Sequence, residues 1–271
     1  MGSTFDRVRF ASQLATRRLG RSLILRAEVG STNDVAWEAC ADGAPDGTVV
    51  VADAQTRGRG RGGRVWHTAP GRSLALSVLL RQGGDRRPLG LLPLAAGLAA
   101  AEALETLGAA PVLKWPNDVL LGGLKVAGVL CESRRVPDPA GGTLDAAVVG
   151  VGVNVAQVAA DFPAEIAGTA TSLALAGLSA DREGVAAAIL DALEPRWEGL
   201  QQGMRDALLE AWSARADFWG AAVAVRTPAG EVRGVARALD PDGALVLVLE
   251  DGSEFAVRAG DLDLSPGEAH P

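Results

Sequence analysis

Two lysines are the first candidates for chemistry in this chain, because it carries 24 arginines and no lysine besides Lys114 and Lys125. Both belong to one stretch, KWPNDVLLGGLKVAGVL, at residues 114–130. Lysine offers a compact ammonium charge and arginine a wide planar fork, so a chain that otherwise uses arginine keeps lysine where the fork would fail. Two ammonium groups can stabilise one developing anion, at roughly 1.5–3 kcal/mol for each charge-assisted hydrogen bond. The alternative is that two lysines without a chemical role fell close together.

The residues between the two lysines strengthen the chemical interpretation. Asn117 and Asp118 separate two short predicted strands, and Gly122-Gly123 predicts a hairpin turn that brings the lysines together. A carboxylate oxygen is a suitable Mg²⁺ ligand, which makes Asp118 the candidate metal ligand. Taken singly, Asn117-Asp118 would be explained by an ordinary turn, and Lys114 by an ion pair at a strand end. The two lysines, Asn117 and Asp118 taken together favour a functional site over these structural explanations.

A second candidate is the segment QTRGRGRGGRVW at residues 55–66, which contains four glycines and four arginines. Glycine lets the backbone approach a ligand closely, and arginine forks suit phosphate and carboxylate groups. We predict a loop that closes over an anionic ligand and excludes water. The alternative is a flexible RNA-binding tract of the RGG type, but such tracts are long and repeated, whereas this segment is single and lies between two predicted strands.

Two shorter segments have weaker patterns. Ser31-Thr32-Asn33 offers hydroxyls and an amide at a predicted helix start, where they can recognise a neutral polar group or simply cap the helix. GVGVNV (150–155) places glycines in a predicted buried strand, where they permit close approach of a flat ligand or mark a bulge. The chain's three asparagines fall in these two segments and in the lysine stretch.

In this order, the four segments resemble the biotin–protein ligases. The resemblance depends on GRGRGGRVW (58–66) together with KWPND (114–118), and it extends more loosely into the C-terminal part of the chain. It implies an ATP-dependent ligase of the biotin–[acetyl-CoA-carboxylase] ligase type. Biotin and MgATP would form biotinyl-5′-AMP, and biotin would then pass to a lysine of a biotin carboxyl carrier domain. The implied small molecules are therefore biotin as substrate, ATP and Mg²⁺.

The resemblance also implies roles for individual residues. The ureido end of biotin would contact Ser31, Thr32 and Gln55, with Asn33 in the same segment, and the biotin pocket would be lined by Gly128, Leu130 and Gly150. Lys125 would bind the biotin carboxylate and then the adenylate. The loop that closes over the adenylate would contain Gly58, Arg59 and Arg61, with Arg64 and Trp66 holding the nucleotide.

The remaining implied roles concern ATP. Lys114, Asn117 and Asp118 would serve the phosphates and Mg²⁺, with Asp118 as the metal ligand, and Asn154 would face the adenosine. Lys125, Arg61, Lys114 and Asp118 form the expected catalytic set. Residues 156–172 match the family's second ordering loop. Some members place an aromatic residue there to pack on adenine, and this chain has Ala170.

The hydrophobic pattern predicts an α+β fold with a mixed sheet and helices, the class II synthetase-like catalytic domain that the resemblance implies. We assign it to residues 1–218, followed by a small Src-homology-3-like β-barrel at residues 219–271, where short alternating strands are separated by Gly-containing turns. Within the first part, the pattern predicts a strand over 23–29, helices over 6–19 and 89–107 and a Pro/Gly loop over 134–142.

The composition excludes several classes of protein. With 48% hydrophobic and 22% charged residues this is a globular chain, and the absence of a signal sequence or long apolar run predicts a cytoplasmic protein without a membrane segment. A net charge of −7 argues against general nucleic-acid binding. About 30 residues precede Ser31, too few for a helix-turn-helix domain, so we expect the monofunctional form.

Two alternatives to a biotin ligase remain open at this stage: a lipoate-type ligase, and a non-catalytic biotin or nucleotide sensor. The oligomeric state is also open between a monomer and a homodimer.

Overall fold

The computed structural model describes residues 4–82, 87–138 and 141–264. Its helices are α1 (Arg7–Gln13), α2 (Thr32–Ala41), α3 (Arg87–Gly90), α4 (Leu92–Glu105), α5 (Arg182–Gln201) and α6 (Arg205–Ser213). Its first seven strands are β1 (Leu23–Val29), β2 (Val49–Gln55), β3 (Ser73–Gln82), β4 (Val112–Lys114), β5 (Asp118–Leu121), β6 (Leu124–Pro137) and β7 (Thr143–Asn154). Within these ranges, no helix has the length and apolar character needed to cross a membrane.

These seven strands form one mixed sheet in the order β1-β2-β3-β7-β6-β5-β4. The β1–β2 pair is parallel and every other pair is antiparallel. Alternate residues of a strand face opposite sides of a sheet. On one side, Leu74, Leu76 and Val78 join the main core together with residues of α4 and α5. Removal of this apolar surface from water is the main stabilising term for the domain.

The opposite side of the sheet, which we call the α2 face, carries a smaller core. Ala36, Trp37 and Cys40 of α2 pack there against Val50 and Val148. Further along the same face, β7 carries Gly150, Gly152 and Asn154 in place of large apolar side chains, and a cavity opens there. That open part holds the candidate site, so α2 and the strand ends beyond it position the functional residues.

The C-terminal part of the chain forms a separate five-stranded antiparallel sheet in the order β11-β10-β9-β8-β12. Its strands are β8 (Ala222–Thr227), β9 (Gly230–Leu239), β10 (Leu245–Val248), β11 (Glu254–Val257) and β12 (Asp261–Asp263). The indole Nε1 of Trp115 donates to the Gly243 carbonyl at 3.1 Å, which fastens this sheet to the first one beside the KWPND segment. The domain boundary at residues 218/219 stays a prediction.

Three predicted elements need correction. The N-terminal helix ends at Gln13 instead of residue 19, because the amides of residues 15–19 are drawn to α5, where the Asp191 and Glu194 carboxylates accept hydrogen bonds from them. The helix predicted over 89–107 is two helices, since α4 begins anew at Leu92 with Pro93 in its first turn, a position that suits proline.

The Pro/Gly loop predicted over 134–142 is the third correction. β6 continues to Pro137 and β7 begins at Thr143, and the two strands pair up to that point. The Asp138 amide donates to the Gly142 carbonyl at 3.1 Å, so the connection is short. Residues 139–140 of the predicted loop lie outside the described ranges.

Candidate functional site

A cavity of about 500 Å³ opens on the α2 face, between the sheet, the arginine-glycine segment and residues 156–172. It brings together residues predicted from four distant stretches of sequence. Lining it are Ser31, Thr32, Asn33, Gln55, Arg59, Arg61, Arg64, Trp66, Lys114, Asn117, Asp118, Lys125, Gly128, Leu130, Gly150 and Asn154. Gly58, the remaining residue of the predicted set, is buried and does not line the cavity.

The arginine-glycine segment is folded as a hairpin over residues 58–66, which we call the arginine hairpin. The Trp66 amide donates to the Gly58 carbonyl at 2.9 Å, and the Gly60 amide donates to the Arg64 carbonyl at 2.7 Å. Gly58 is required by this pairing, because a Cβ there would lie 2.3 Å from the Trp66 carbonyl oxygen. Gly62 and Gly63 form the turn with φ of +62° and +78°, which favour glycine.

The floor of the cavity is backbone, because glycines occupy the positions where side chains would stand. A Cβ on Gly152 would lie 2.3 Å from the Trp66 indole, and one on Gly150 would lie 2.4 Å from Asn33 Oδ1. The register places Gly128 directly beside Gly152. The glycines therefore let Trp66 and Asn33 lie directly against the sheet.

At one end of the cavity, polar groups form a buried network at the start of α2. Gln55 Oε1 accepts from the Thr32 amide at 2.8 Å and from Thr32 Oγ1 at 3.1 Å. Ser77 Oγ lies 2.7 Å from Asn33 Oδ1 and 2.8 Å from Thr32 Oγ1. Ser31 occupies the N-cap position of α2, but its side chain makes no capping hydrogen bond. The capping alternative does not explain this hydroxyl, which lines the cavity instead.

At the centre of the cavity, Lys125 Nζ lies 2.6 Å from Asp118 Oδ1 and 5.7 Å from the centroid of the Trp66 ring. Lys114 pairs in register with Asp118, so both lysines flank the same carboxylate. Asn117 is buried and donates its Nδ2 to the Val129 carbonyl at 2.5 Å. The two lysines lie on β4 and β6 with β5 between them, so the Gly122-Gly123 hairpin joins the strand of Lys125 to that of Asp118 and not to that of Lys114. Both lysines line the cavity, and convergence of their ammonium groups stays a prediction.

Ion pairs hold the arginine hairpin on two sides. Arg59 contacts both carboxylate oxygens of Asp34 on α2, at 2.7 and 2.8 Å, and Glu132 at 3.1 Å. On the other side, Arg64 is paired with Asp261 of the C-terminal sheet. Arg59 is therefore directed along the cavity wall toward α2, where it connects the hairpin to the helix that carries Ser31–Asn33.

The charges around the hairpin alter the acidity of several groups. The hydrogen bond from Arg59 holds the pKa of Asp34 below its ordinary value, and the same bond raises the pKa of Arg59. Burial lowers the pKa of Arg61, although a guanidinium stays protonated in proteins. Burial also raises the pKa of the Cys131 thiol behind the hairpin, so this cysteine is not a thiolate nucleophile.

The far end of the cavity is formed by residues 156–172, which we call the second loop. It is held against the lysine strand, since the Lys125 amide donates to the Thr169 carbonyl at 2.8 Å and the Thr171 amide donates to the Lys125 carbonyl at 2.9 Å. Ala170 lines the cavity here, as do the larger apolar side chains of Phe162 and Ile166.

Sequence patterns alone did not single out four residues of this region. Ser77 is a polar residue within the apolar strand SLALSVLLR, which is a usable signal for a site residue. Asp34 directly follows the STN segment. Glu132 and Gln157 have no local signal in the sequence, because the fold alone brings Glu132 to Trp37 and Gln157 to Asn154.

The donor groups of the cavity limit the kind of magnesium site that it can form. Within the described ranges, no group of three or more His, Cys, Asp or Glu side chains could form a protein cage for a metal. Magnesium that arrives with a nucleotide needs fewer protein ligands, because it keeps phosphate and water oxygens. Asp118, at the centre of the cavity, fits this role as a single carboxylate ligand.

Comparisons with known proteins agree on one family. A sequence model described as "Biotin/lipoate A/B protein ligase family" matches residues 27–154, and one described as "Biotin protein ligase C terminal domain" matches residues 218–265. The bifunctional ligase/repressor BirA of Bacillus spizizenii is 34% identical over 253 residues, covering 93% of this chain and 76% of that protein. The biotin–[acetyl-CoA-carboxylase] ligase of Mycobacterium tuberculosis is 39% identical, covering 89% of this chain and 88% of that protein.

The fold is also shared with solved structures. The biotin protein ligase of Aquifex aeolicus, in complex with biotin and ATP, superposes with a TM-score of 0.74 at 30% identity, covering 90% of this chain and 98% of that chain. The expected mixed α/β fold with a C-terminal β module is thereby confirmed. From the two matched sequence models, the identity over most of the chain and the shared fold, we conclude that this protein is an enzyme of the biotin protein ligase family.

Proposed function

We propose that this protein is an ATP-dependent biotin–protein ligase. It forms biotinyl-5′-AMP from biotin and MgATP, and it then transfers biotin to a lysine of a biotin carboxyl carrier domain. Both steps need a site that brings two anions together and then protects a mixed anhydride from water. The supporting relatives and the solved structure are named as biotin ligases, and the latter holds biotin and ATP.

One observation carries this proposal: Lys125 and Asp118 lie 2.6 Å apart at the centre of a single cavity. The Thr32–Gln55 network forms one end of that cavity and Asn154 the other. A ligand with a neutral polar head and a carboxylate tail would therefore place its carboxylate near the ammonium of Lys125. A nucleotide at the Asn154 end would bring its α-phosphate toward the same charge.

In the first step, an oxygen of the biotin carboxylate attacks the α-phosphorus of ATP, and the bond to pyrophosphate breaks. The ammonium groups of Lys125 and Lys114 offset repulsion between the carboxylate and the phosphates. Asp118 would hold a Mg²⁺ ion that arrives with the nucleotide, and the ion would supply further charge neutralisation to the phosphates. The half-buried Arg61 adds positive charge from the hairpin.

In the second step, the amine of an acceptor lysine attacks the carbonyl carbon of the anhydride, and AMP leaves. The arginine hairpin and the second loop cover the anhydride until the acceptor arrives. Lys114 and Lys125 act on charge in this scheme, and the lysine that becomes biotinylated belongs to the partner. The cytoplasmic location, and the choice between monomer and homodimer, stay predictions.

The proposed function is tested with the purified chain, biotin, MgATP and an isolated biotin carboxyl carrier domain. We expect pyrophosphate release that depends on biotin, followed by a mass increase on one lysine of the carrier. A parallel assay with lipoate in place of biotin distinguishes the two kinds of ligase, because a lipoate-type ligase would release pyrophosphate with lipoate and not with biotin. Biotin binding without pyrophosphate release would identify a sensor and overturn the proposal.

A further inference from the structure

Two carboxylates from different elements hold one guanidinium at the base of the arginine hairpin. Arg59 Nη1 and Nη2 donate to the two carboxylate oxygens of Asp34 at 2.7 and 2.8 Å, and Nη2 also donates to Glu132 Oε1 at 3.1 Å. Asp34 belongs to α2 and Glu132 to β6. A bidentate pair of guanidinium and carboxylate fixes geometry as well as adding energy. We call Asp34 and Glu132 together the Arg59 clasp.

The Glu132 carboxylate is itself held in one orientation. Its second oxygen, Oε2, accepts a hydrogen bond from Trp37 Nε1 at 2.8 Å, so each carboxylate oxygen serves one donor. Trp37 is 7% exposed, and the Arg134 guanidinium lies 4.4 Å from its ring centroid, in cation–π contact. This arrangement requires a carboxylate at residue 132, because a glutamine amide has a single acceptor oxygen and cannot present one oxygen to Trp37 and another to Arg59.

The clasp joins three walls of the main cavity. Arg59 lines the cavity from the hairpin, Ser31 from the start of α2 and Leu130 from β6. Asp34 and Glu132 follow closely after Ser31 and Leu130 on the same two elements, but both carboxylates lie outside the lining of the cavity. Any effect of the clasp on a ligand therefore acts through Arg59 and the hairpin that carries it.

Polar contacts hold this part of the hairpin more than apolar packing does. A second cavity, of about 360 Å³, lies between hairpin residues 59–63 and β6 residues 129–132, and residues 62–65 at the turn are exposed. The side chains of Arg59, Asp34 and Glu132 are 37%, 39% and 26% exposed. Ion pairs of such exposure contribute about 1 kcal/mol or less each, so the clasp can open and close while the domain stays folded.

We propose that Asp34 and Glu132 are positioning residues that act through Arg59, that the clasp sets how often the hairpin opens, and that Trp37 orients Glu132 for this role. The inference rests on the proposed function, because that function places biotin in the cavity beneath the hairpin.

The clasp has a definite kinetic consequence. It changes the balance between the open and the closed hairpin without changing the contacts that biotin makes in the closed form. Biotin enters and leaves while the hairpin is open. A weaker clasp therefore speeds association and dissociation alike, and it leaves the affinity for biotin nearly unchanged.

The test measures association and dissociation of radiolabelled biotin by rapid filtration, with excess unlabelled biotin as the chase. In Glu132→Gln both rate constants should rise about fivefold, while Kd from calorimetry should change by less than about twofold. The increase over the wild-type rates should shrink in about 1 M salt, because salt screens exposed charges. Glu28→Gln, on an exposed glutamate of β1, is the matched control and should keep both rates. Thermal unfolding checks the fold of each variant.

The contribution of Trp37 is tested by a double-mutant cycle. Trp37→Phe removes the Nε1 donor and keeps an aromatic ring beside Arg134. It should speed both rates in the wild-type background and should add little in the Glu132→Gln background, because Trp37 acts through Glu132. An equal effect in both backgrounds would overturn the role given to Trp37.

Two results would overturn the clasp itself. One is a folded Glu132→Gln variant with wild-type rates of biotin association and dissociation. The other is faster dissociation with an equal loss of affinity, because that pattern belongs to a residue that supports the contacts of bound biotin. Pyrophosphate release by the wild-type protein is measured in parallel. Its absence would overturn the proposed function, and the biotin rates would still decide the role of the clasp.

Discussion

The Lys125 ammonium and the Asp118 carboxylate lie 2.6 Å apart on adjacent strands. The turn at Gly122-Gly123 joins these strands, with φ of +57° and +79° at its two glycines. In the proposed function, a bound carboxylate or phosphate would share the ammonium of Lys125 with Asp118, and Asp118 would hold the lysine in place before the anion binds.

The first prediction concerns the chemical identity of this lysine. We expect Lys125→Arg to keep the fold but to lose more than about 90% of biotin-dependent pyrophosphate release, because the guanidinium fork is wider than the ammonium. The space is limited: a Cβ on Gly128 would lie 2.9 Å from Lys125 Cε. Thermal unfolding checks the fold, and the exposed Arg258→Lys is the control. Near-normal pyrophosphate release would contradict the prediction.

Gly152 gives a test of the cavity floor. In Gly152→Ala the new Cβ would lie 2.3 Å from the Trp66 indole, so the ring must leave its position on the sheet. We expect biotin to bind at least about tenfold more weakly, a loss of about 1.4 kcal/mol, with the fold retained. Calorimetric titration with biotin measures the change. Gly90→Ala is the matched control because nothing lies within 4 Å of its Cβ position, and an unchanged biotin affinity in Gly152→Ala would refute the packing argument.

Arg61 tests retention of the intermediate. Its Nη1 lies 3.4 Å from Asn117 Oδ1 and 3.3 Å from the Gly260 carbonyl, so it fastens the middle of the hairpin over the cavity. We expect Arg61→Gly to release biotinyl-AMP, which then labels exposed lysines of an unrelated added protein such as serum albumin. Biotin incorporated into albumin is compared with that of Arg57→Gly, an exposed arginine of the same segment. Acceptor selectivity equal to the wild-type protein in Arg61→Gly would count against this role.

The Arg59–Asp34 pair predicts a pH dependence of stability. Because the hydrogen bond from Arg59 lowers the pKa of folded Asp34, the pair stabilises the fold above the unfolded pKa of about 3.9. That contribution is lost as the pH falls through the lower folded value. Both side chains are more than a third exposed, at 37% and 39%, so we expect at most about 1 kcal/mol.

Urea unfolding of the wild-type protein and of Asp34→Asn measures this contribution. The difference in the free energy of unfolding should be largest near neutral pH and should shrink below about pH 4. A difference that stays constant from pH 7 to pH 3 would show that Asp34 stabilises the fold without its charge.

A buried ion pair connects the start of α5 to β2. Arg182 Nη1 lies 2.7 Å from Asp53 Oδ1, and the two side chains are 7% and 8% exposed. We expect Arg182→Met to lower the free energy of unfolding by about 3–5 kcal/mol, because it leaves a buried carboxylate without its cation. Adding Asp53→Asn should restore part of the loss. The exposed Arg233→Met should change stability by less than about 0.5 kcal/mol, and an equally small effect of Arg182→Met would disprove the role of burial.

Local patterns predicted much of this protein because they describe interactions between neighbours in the chain. The strand at residues 23–29 was predicted with its observed bounds, since alternating apolar residues need only one partner surface. The glycine pair Gly122-Gly123 predicted the hairpin that joins β5 to β6. The candidate site residues were chosen because their types are scarce or unexpected in this arginine-rich chain: lysine, asparagine and glycine within a strand.

The tertiary structure decided what those residues contact. No pattern indicated that Arg59 would turn toward Asp34 and Glu132, because these contacts depend on the strand order β3-β7-β6. The same dependence explains the N-terminal correction, where acidic residues of α5, more than 170 positions away, draw backbone amides out of a helix. The sequence by itself determined which groups the site has. Packing of distant segments determined where each group points, because hydrogen bonds and ion pairs form only between atoms that the whole fold brings within about 3 Å.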